Sequence, residues 1–109
     1  MKISEAKEHY VFTTRIDLND DGSEYIVLRE PTTGEVSGLG DDGQKNLEVL
    51  NKIFPSCIVE SSFTDDEGNE ADGKAVYSVL KDSASLFTEI VETWMTSVPF
   101  KSRLSKKGK

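Results

Sequence analysis

The first apolar pattern along the chain alternates with period two and predicts a β-hairpin. In residues 10–18, apolar side chains fall on one side and polar side chains on the other, as in a half-buried strand. The apolar positions of this segment are Tyr10, Phe12, Ile16 and Leu18. Residues 19–22 have turn composition, and residues 24–29 are rich in β-forming side chains, so a second strand is expected to follow. Because an isolated hairpin is marginal in water, we expect another element to cover its apolar face.

Helical spacing replaces the alternation after the hairpin. Residues 32–35 match a capping box, in which Thr32 caps a short turn and Glu35 reaches back to it. Asp41 is expected to cap a longer helix that has Gln44 in its first turn and ends at Pro55. The positions spaced for one face of this helix are Leu47, Leu50, Ile53 and Phe54.

Two further helices are predicted in the second half of the chain. Residues 56–63 could be an extended segment or a third strand, and the pattern leaves both open. Asp72 is expected to cap a helix that runs to about Lys81. The last helix shows the widest apolar stripe and is expected to end at Pro99. Its stripe consists of Leu86, Phe87, Ile90, Val91, Trp94, Met95 and Val98.

These elements predict an α+β fold. An N-terminal antiparallel hairpin, with the third short strand left open, packs against about three helices, of which the last is the longest. The length of 109 residues fits one domain, which we expect over residues 1–100, followed by a basic flexible tail over residues 101–109.

Charge is distributed unevenly between this domain and its tail. The formal net charge is -7, but the tail holds five of the 13 basic residues and none of the 20 acidic ones. The remainder therefore carries eight basic residues against 20 acids, a formal charge of -12. A surface this acidic repels nucleic-acid phosphate and anionic lipid, so neither is an expected partner.

The cysteine count and the N-terminus predict a cytoplasmic protein. Cys57 is the single cysteine, so no internal disulfide is expected. Residues 1–8 contain no apolar run of the signal-peptide type. No segment approaches the roughly 20 apolar residues that a membrane-spanning helix needs.

Two acidic loops invite comparison with calcium sites. Residues 17–22 match the first half of an EF-hand loop, but the eighth and twelfth positions are Glu24 and Leu28. An apolar residue and a bidentate carboxylate are needed there, so we interpret the segment as a hairpin turn. Residues 65–69 have their glycine out of register and are interpreted as a solvated turn.

Catalytic chemistry is not predicted. Cys57 and His9 could form a nucleophile and a base, but Cys57 adjoins an apolar pair and is better explained as a small buried side chain. Zinc would need more Cys and His ligands than the chain has, and its glycines form no phosphate-binding loop. No enzyme activity, cofactor or metal is therefore expected.

The apolar residues near the C-terminus are the candidate binding residues. They could all be core, or part of the stripe could exceed what a hairpin covers and bind a partner or a second copy of the chain. The candidate partner-binding residues are Phe87, Trp94, Met95 and Phe100. Phe100, which lies beyond Pro99, is the best candidate for an exposed anchor.

Three stretches together resemble the tail assembly chaperones of long-tailed bacteriophages and prophages. Residues 26–35 resemble the strand and Arg-Glu-Pro-Thr opening of that family. Residues 54–68 resemble its middle segment, and residues 89–99 resemble its closing helix. The resemblance covers roughly residues 8–100.

The resemblance implies a non-catalytic role in virion assembly. Such chaperones bind the long, largely helical tape measure protein in the cytoplasm of the bacterial host and keep it soluble until the tail tube forms. They are not expected in the mature virion, and the family has no cofactor or metal to carry over. A longer form made by ribosomal frameshifting recruits the tail tube protein, and Lys106 and Lys107 are the expected slip position here.

Two other classes of function remain as alternatives. An acidic inhibitor that mimics the charge of DNA, or another small protein-interaction module, would also have this composition. A DNA mimic needs acids along one continuous face, whereas here they cluster in turns and caps. An enzyme with paired carboxylates is the third alternative.

Overall fold

The computed structural model describes residues 1–98, apart from the side chains of residues 7 and 8. The elements, in chain order, are α1 (Ile3–Tyr10), β1 (Thr13–Asp17), β2 (Tyr25–Arg29), α2 (Thr33–Val36), α3 (Gly43–Cys57), β3 (Ile58–Ser61), α4 (Gly73–Leu80) and α5 (Ala84–Ser97). The predicted α+β class is confirmed. The predicted tail over residues 101–109, together with Pro99 and Phe100, lies outside the described residues.

The three strands form one antiparallel sheet in the order β1-β2-β3. In the predicted hairpin, Thr13 pairs with Arg29 and Asp17 pairs with Tyr25. Gly22 closes the turn with a φ of 73°, a conformation that favours glycine. β3 pairs with β2 on the other side, which confirms the third strand that the sequence left open.

The helices cover one face of the sheet. Ile16, Ile26 and Leu28 point from the strands into the same core as the buried side chains of α3, α4 and α5. Phe54 lies at the centre of this core, and its ring centroid is 5.0 Å from that of Phe87. The apolar face of the hairpin is therefore covered, as a stable sheet requires.

Capping residues begin the helices close to the predicted positions. Thr32 and Glu35 form the predicted capping box, which here starts the single turn of α2. Asp72 accepts a hydrogen bond from Ala75 N and caps α4 as predicted. The cap of α3 is Asp42 and not Asp41, a shift of one residue that leaves the helix direction unchanged.

Three sequence predictions need correction. The strand predicted from Tyr10 begins at Thr13, because residues 3–10 form α1, and Tyr10 is exposed. α3 does not end at Pro55 but continues to Cys57, since both Phe54 and Cys57 are held in the core. Because of this extension α3 has 15 residues and α5 has 14, so the last helix is only about as long as α3.

Candidate partner-binding surfaces

The last helix places its predicted binding residues mostly in the core. Trp94 is fully buried and Phe87 is 7% exposed, so both side chains belong to the core, and contact of either with a partner stays a prediction. Met95 is half-buried at the margin of the core. Phe100 lies outside the described residues, and its proposed role stays a prediction.

Trp94 is held in place by a polar contact as well as by packing. Its indole Nε1 donates a hydrogen bond of 3.0 Å to the carbonyl oxygen of Arg29 at the end of β2. Its ring meets Phe54 edge to face, with the centroids 5.7 Å apart. A buried indole N–H needs such an acceptor, so this contact fixes where α5 crosses the sheet.

A groove between three helices is the first surface with exposed apolar side chains. Leu47 of α3 is 43% exposed at its edge, and Tyr77, Ala84 and Phe87 contribute the remaining apolar lining. The groove encloses about 360 Å³ and is also lined by Asn51, Lys81 and Thr88. Its lining is more apolar than polar, which suits an apolar side chain from another protein.

The floor of this helical groove is held by aromatic contacts and one hydrogen bond. The Tyr77 hydroxyl donates to the side-chain oxygen of Asn51, which joins α4 to α3. The Tyr77 and Phe87 rings meet edge to face at 5.9 Å, and the Lys81 ammonium lies 5.6 Å from the Tyr77 ring centroid. The sequence predicted Phe87 as a binding residue, and the structure gives it a place in the floor of a surface groove.

A second groove lies between the outer strand β1 and helix α5. Its apolar lining consists of Ile16, Leu18, Leu86 and Ile90. The polar lining consists of Arg15, Asp17, Glu89 and Thr93, and the volume is about 320 Å³. The sequence did not predict this groove, because neither strand alternation nor helical periodicity indicates how far apart a strand and a helix stand.

Other exposed apolar side chains lie outside the two grooves. Four of them cluster in sequence at the N-terminus, and Val59 and Val79 lie on β3 and α4. The N-terminal group consists of Met1, Ile3, Tyr10 and Val11. Exposed apolar side chains therefore occur in several elements of the described part of the chain and not on α5 alone.

A partly buried ion pair joins β2 to α2. The Arg29 guanidinium donates to both oxygens of Glu35, with the shorter bond at 2.9 Å, and this hydrogen bonding lowers the pKa of Glu35 to about 2. Burial raises the pKa of the neighbouring Cys57 thiol to about 11. A thiol of this kind is protonated at neutral pH and a poor nucleophile, which agrees with the prediction that Cys57 is a small buried side chain.

The acidic turn of the hairpin uses its carboxylates locally. Asp17 forms an ion pair with Arg15 at 2.9 Å, and Asp21 accepts a hydrogen bond from Ser23 N. The side-chain and backbone hydrogen bonds from Ser23 lower the pKa of Asp21. These contacts agree with the interpretation of the segment as a hairpin turn.

The described part of the chain contains neither a metal site nor a membrane-spanning helix, and known proteins offer no match. Among the side chains that the structure describes, no group of three or more His, Cys, Asp or Glu is arranged to hold a metal ion. None of the helices in that part of the chain is long and apolar enough to cross a membrane. Comparisons with protein-family models, with curated proteins and with solved structures find no match.

Proposed function

We propose that this protein is a tail assembly chaperone of a long-tailed bacteriophage or prophage. In this proposal it binds the tape measure protein in the cytoplasm of the bacterial host, keeps it soluble until the tail tube forms, and is absent from the mature virion. It performs no catalysis. The resemblance of residues 26–35, 54–68 and 89–99 to that family, in order and spacing, supports the proposal.

The groove between α3, α4 and α5 is the surface at which we propose that the tape measure protein binds. A long helical client presents apolar side chains along one face, and these need an apolar surface to cover them. Leu47, Tyr77 and Phe87 offer such a surface beside an exposed rim. We infer that an amphipathic helix of the tape measure protein packs against Leu47.

The acidic surface supports a holding role. A chaperone that carries an apolar client needs like charge to keep the complex soluble. Eight basic residues against 20 acids in residues 1–100 supply that charge. The longer frameshifted form that would recruit the tail tube protein belongs to the same proposal.

The rival function of a DNA-charge mimic has less support. Such a protein needs carboxylates that are free to stand in for phosphates along one face. Several turn acids instead accept backbone hydrogen bonds: Asp42 and Asp72 cap helices, and Asp65 accepts from Glu67 N and Asn69 N. These acids are used for local structure, which favours a stabilising and solubilising role.

Co-expression with the tape measure protein tests the proposal. We expect the Leu47→Asp variant to recover at least about tenfold less soluble tape measure protein, because a charge in the groove would have to be desolvated by the client. Val59→Asp is the matched control, since Val59 is 52% exposed on β3 and lies away from this groove. Affinity capture followed by gel quantification measures both.

The possible outcomes test the chaperone function and the location of its binding surface separately. If only Leu47→Asp recovers less tape measure protein, and circular dichroism shows that both variants are folded, the result supports the groove as the binding surface. Equal loss with both variants, or with neither, overturns the groove as the binding surface. If the unaltered protein neither captures nor solubilises the tape measure protein, the proposed function itself is wrong.

A further inference from the structure

We propose that the outer edge of β1 binds an extended, positively charged segment of a partner protein as an additional strand of the sheet. This surface lies on the sheet side of α5 and is distinct from the groove between the helices. It does not depend on the phage assignment, because it follows from the hydrogen bonding and charge of the hairpin and of α5.

The backbone of β1 has a free side. Phe12 O accepts from Glu30 N, and Leu18 N donates to Glu24 O, so the even-numbered residues of this segment bond to β2. In an antiparallel ladder the intervening residues then point their N–H and C=O groups away from the neighbouring strand. These residues are Thr13, Arg15 and Asp17. No backbone partner for them occurs among residues 1–98.

The opposite edge of the sheet is partly covered, at the C-terminal end of β3. Ser61 N of β3 donates to the carboxylate of Glu70, and Thr64 forms a β-bridge with the same residue. Ala71 N donates to Phe63 O and holds this loop along β3. Covering an edge in this way is a common protection against strand pairing, and β1 lacks it in the described part of the chain.

The groove beside β1 can receive the side chains of an added strand. Leu86 and Ile90 of α5 line its far wall, and Ile16 and Leu18 line the wall next to the strand. Alternate side chains of a strand paired with β1 would point into this groove, and the others would face solvent. An added strand therefore gains main-chain hydrogen bonds from β1 and apolar contact from α5, the combination used in strand addition.

The charges around the groove select a basic partner. Glu89 of α5 lines the groove and is exposed, and Glu92, which is not part of the lining, is exposed on the same helix. The hairpin turn adds Asp20, Asp21 and Glu24. The nearby cation, Arg15, is paired with Asp17 and lies over the Tyr25 ring at 3.9 Å from its centroid. Lysine or arginine side chains of the bound segment would complement this excess of acidic charge.

Amide hydrogen exchange by NMR on the full chain tests the proposal. The probe is a ten-residue peptide of alternating valine and lysine, and the comparison peptide alternates valine and glutamate. We expect the lysine peptide to slow exchange at Thr13, Arg15 and Asp17 by about tenfold. The amides of Thr14 and Ile16 face β2 and serve as internal references that do not change. Equal protection by both peptides, or protection by neither, overturns the proposal.

Two substitutions at position 15 distinguish the contribution of the backbone N–H to peptide binding from that of the side chain. Arg15→Pro removes an N–H that faces away from β2, so it leaves the ladder intact and is expected to weaken binding of the lysine peptide about three- to tenfold. Arg15→Ala keeps the N–H and is expected to retain binding. Equal weakening in both variants overturns strand addition.

A second variant keeps the test decisive if Arg15→Pro does not fold. Replacing Glu89 and Glu92 by lysine leaves β1 untouched. We expect this variant to bind the lysine peptide at least about tenfold more weakly and the glutamate peptide more tightly. Unchanged preference between the two peptides contradicts the proposed selection by charge.

Two other occupants of this edge would be recognised in the same experiment. If deleting residues 99–109 accelerates exchange at Thr13, Arg15 and Asp17 in the free protein, the tail of this chain covers the edge and the proposal is wrong. If protection in the free protein rises with protein concentration, a second copy covers it, and the proposal is equally wrong. The proposal is supported if exchange at these amides in the free protein is fast, is unaffected by the tail deletion and by protein concentration, and slows when the lysine peptide is added.

Discussion

Gly73 marks the point where α4 begins directly against α3. A Cβ atom at this position would lie 2.2 Å from the carbonyl oxygen of Pro55, which is well inside any tolerated contact. The backbone atoms of α3 must therefore move if any side chain is introduced here. We expect Gly73→Ala to lower the free energy of unfolding by about 1–3 kcal/mol, the usual cost of overpacking.

Urea denaturation measures this loss, and Gly43 offers a matched control. Gly43 is also the first residue of a helix, but a Cβ there meets no atom within 4 Å. Gly43→Ala should therefore leave stability unchanged or raise it slightly. Equal effects of the two substitutions would contradict the close approach of α4 to α3.

Single residues also show how far the sequence could define the binding surface. The stripe on α5 indicated that Phe87, Trp94 and Met95 share a face, and the structure confirms that they adjoin one core. The stripe could not show which of these side chains is buried, because burial depends on residues far away in the chain. One example is Arg29, whose backbone carbonyl oxygen accepts the indole hydrogen bond of Trp94. Helical spacing placed Leu47 on the same face as Leu50 and Phe54, and for the same reason it could not show that 43% of Leu47 is exposed.

At the level of elements, local signals located most of the fold. The hairpin alternation, the capping box of α2 and the Asp72 cap each act within a few residues. Both caps occur where predicted, and the hairpin occurs with its first strand starting at Thr13. α1 was missed because its last residue, Tyr10, continues the period-two pattern of β1. Helix α3 passes Pro55 because burial of Phe54 and Cys57 outweighs the local preference to stop.

The pair formed by Arg29 and Glu35 connects two elements and predicts a dependence of stability on pH. Hydrogen bonds from Arg29 hold the pKa of Glu35 at about 2, below its ordinary value of 4.5. Protonation therefore favours the unfolded chain, so the stabilisation is complete above that ordinary value and is lost as the pH falls toward 2. Because solvent reaches both side chains, we expect a contribution of about 1 kcal/mol.

Comparison of the unaltered protein with Glu35→Gln measures this contribution. The difference in unfolding free energy, taken from urea denaturation at several pH values, should be largest near neutral pH and should shrink as Glu35 is protonated. Glutamine retains the size of the side chain, so packing changes are small, but it loses the charge and replaces one of the two acceptor oxygens of Glu35 by an NH2 donor. A difference that stays constant across the acidic range would contradict the role of the ion pair.

At the scale of the whole molecule, the arrangement of layers determines which surfaces are available to a partner. Helices cover one face of the sheet, and residues 64–71 cover the C-terminal end of β3. The described groups leave the groove at Leu47 and the outer edge of β1 open. The sequence predicted a binding role for the C-terminal stripe but neither groove, since a groove depends on the distance between elements that are far apart in the chain. The two grooves lie on different sides of α5, so the proposed helical and extended segments could be bound together.

The net charge of the whole molecule predicts that salt stabilises the fold. Residues 1–100 carry eight basic residues against 20 acids, and self-repulsion of this charge is relieved when the chain unfolds and expands. Salt screens that repulsion, so we expect the melting temperature at pH 7 to rise by about 5 °C between about 10 and 300 mM sodium chloride. The control is the same measurement near the isoelectric point of the whole chain, about 4.7, where far fewer acids are uncompensated and the rise should be much smaller. A melting temperature that falls with salt at pH 7 would mean that attractive ion pairs outweigh the repulsion, and the acidic surface would then be part of what holds the fold together.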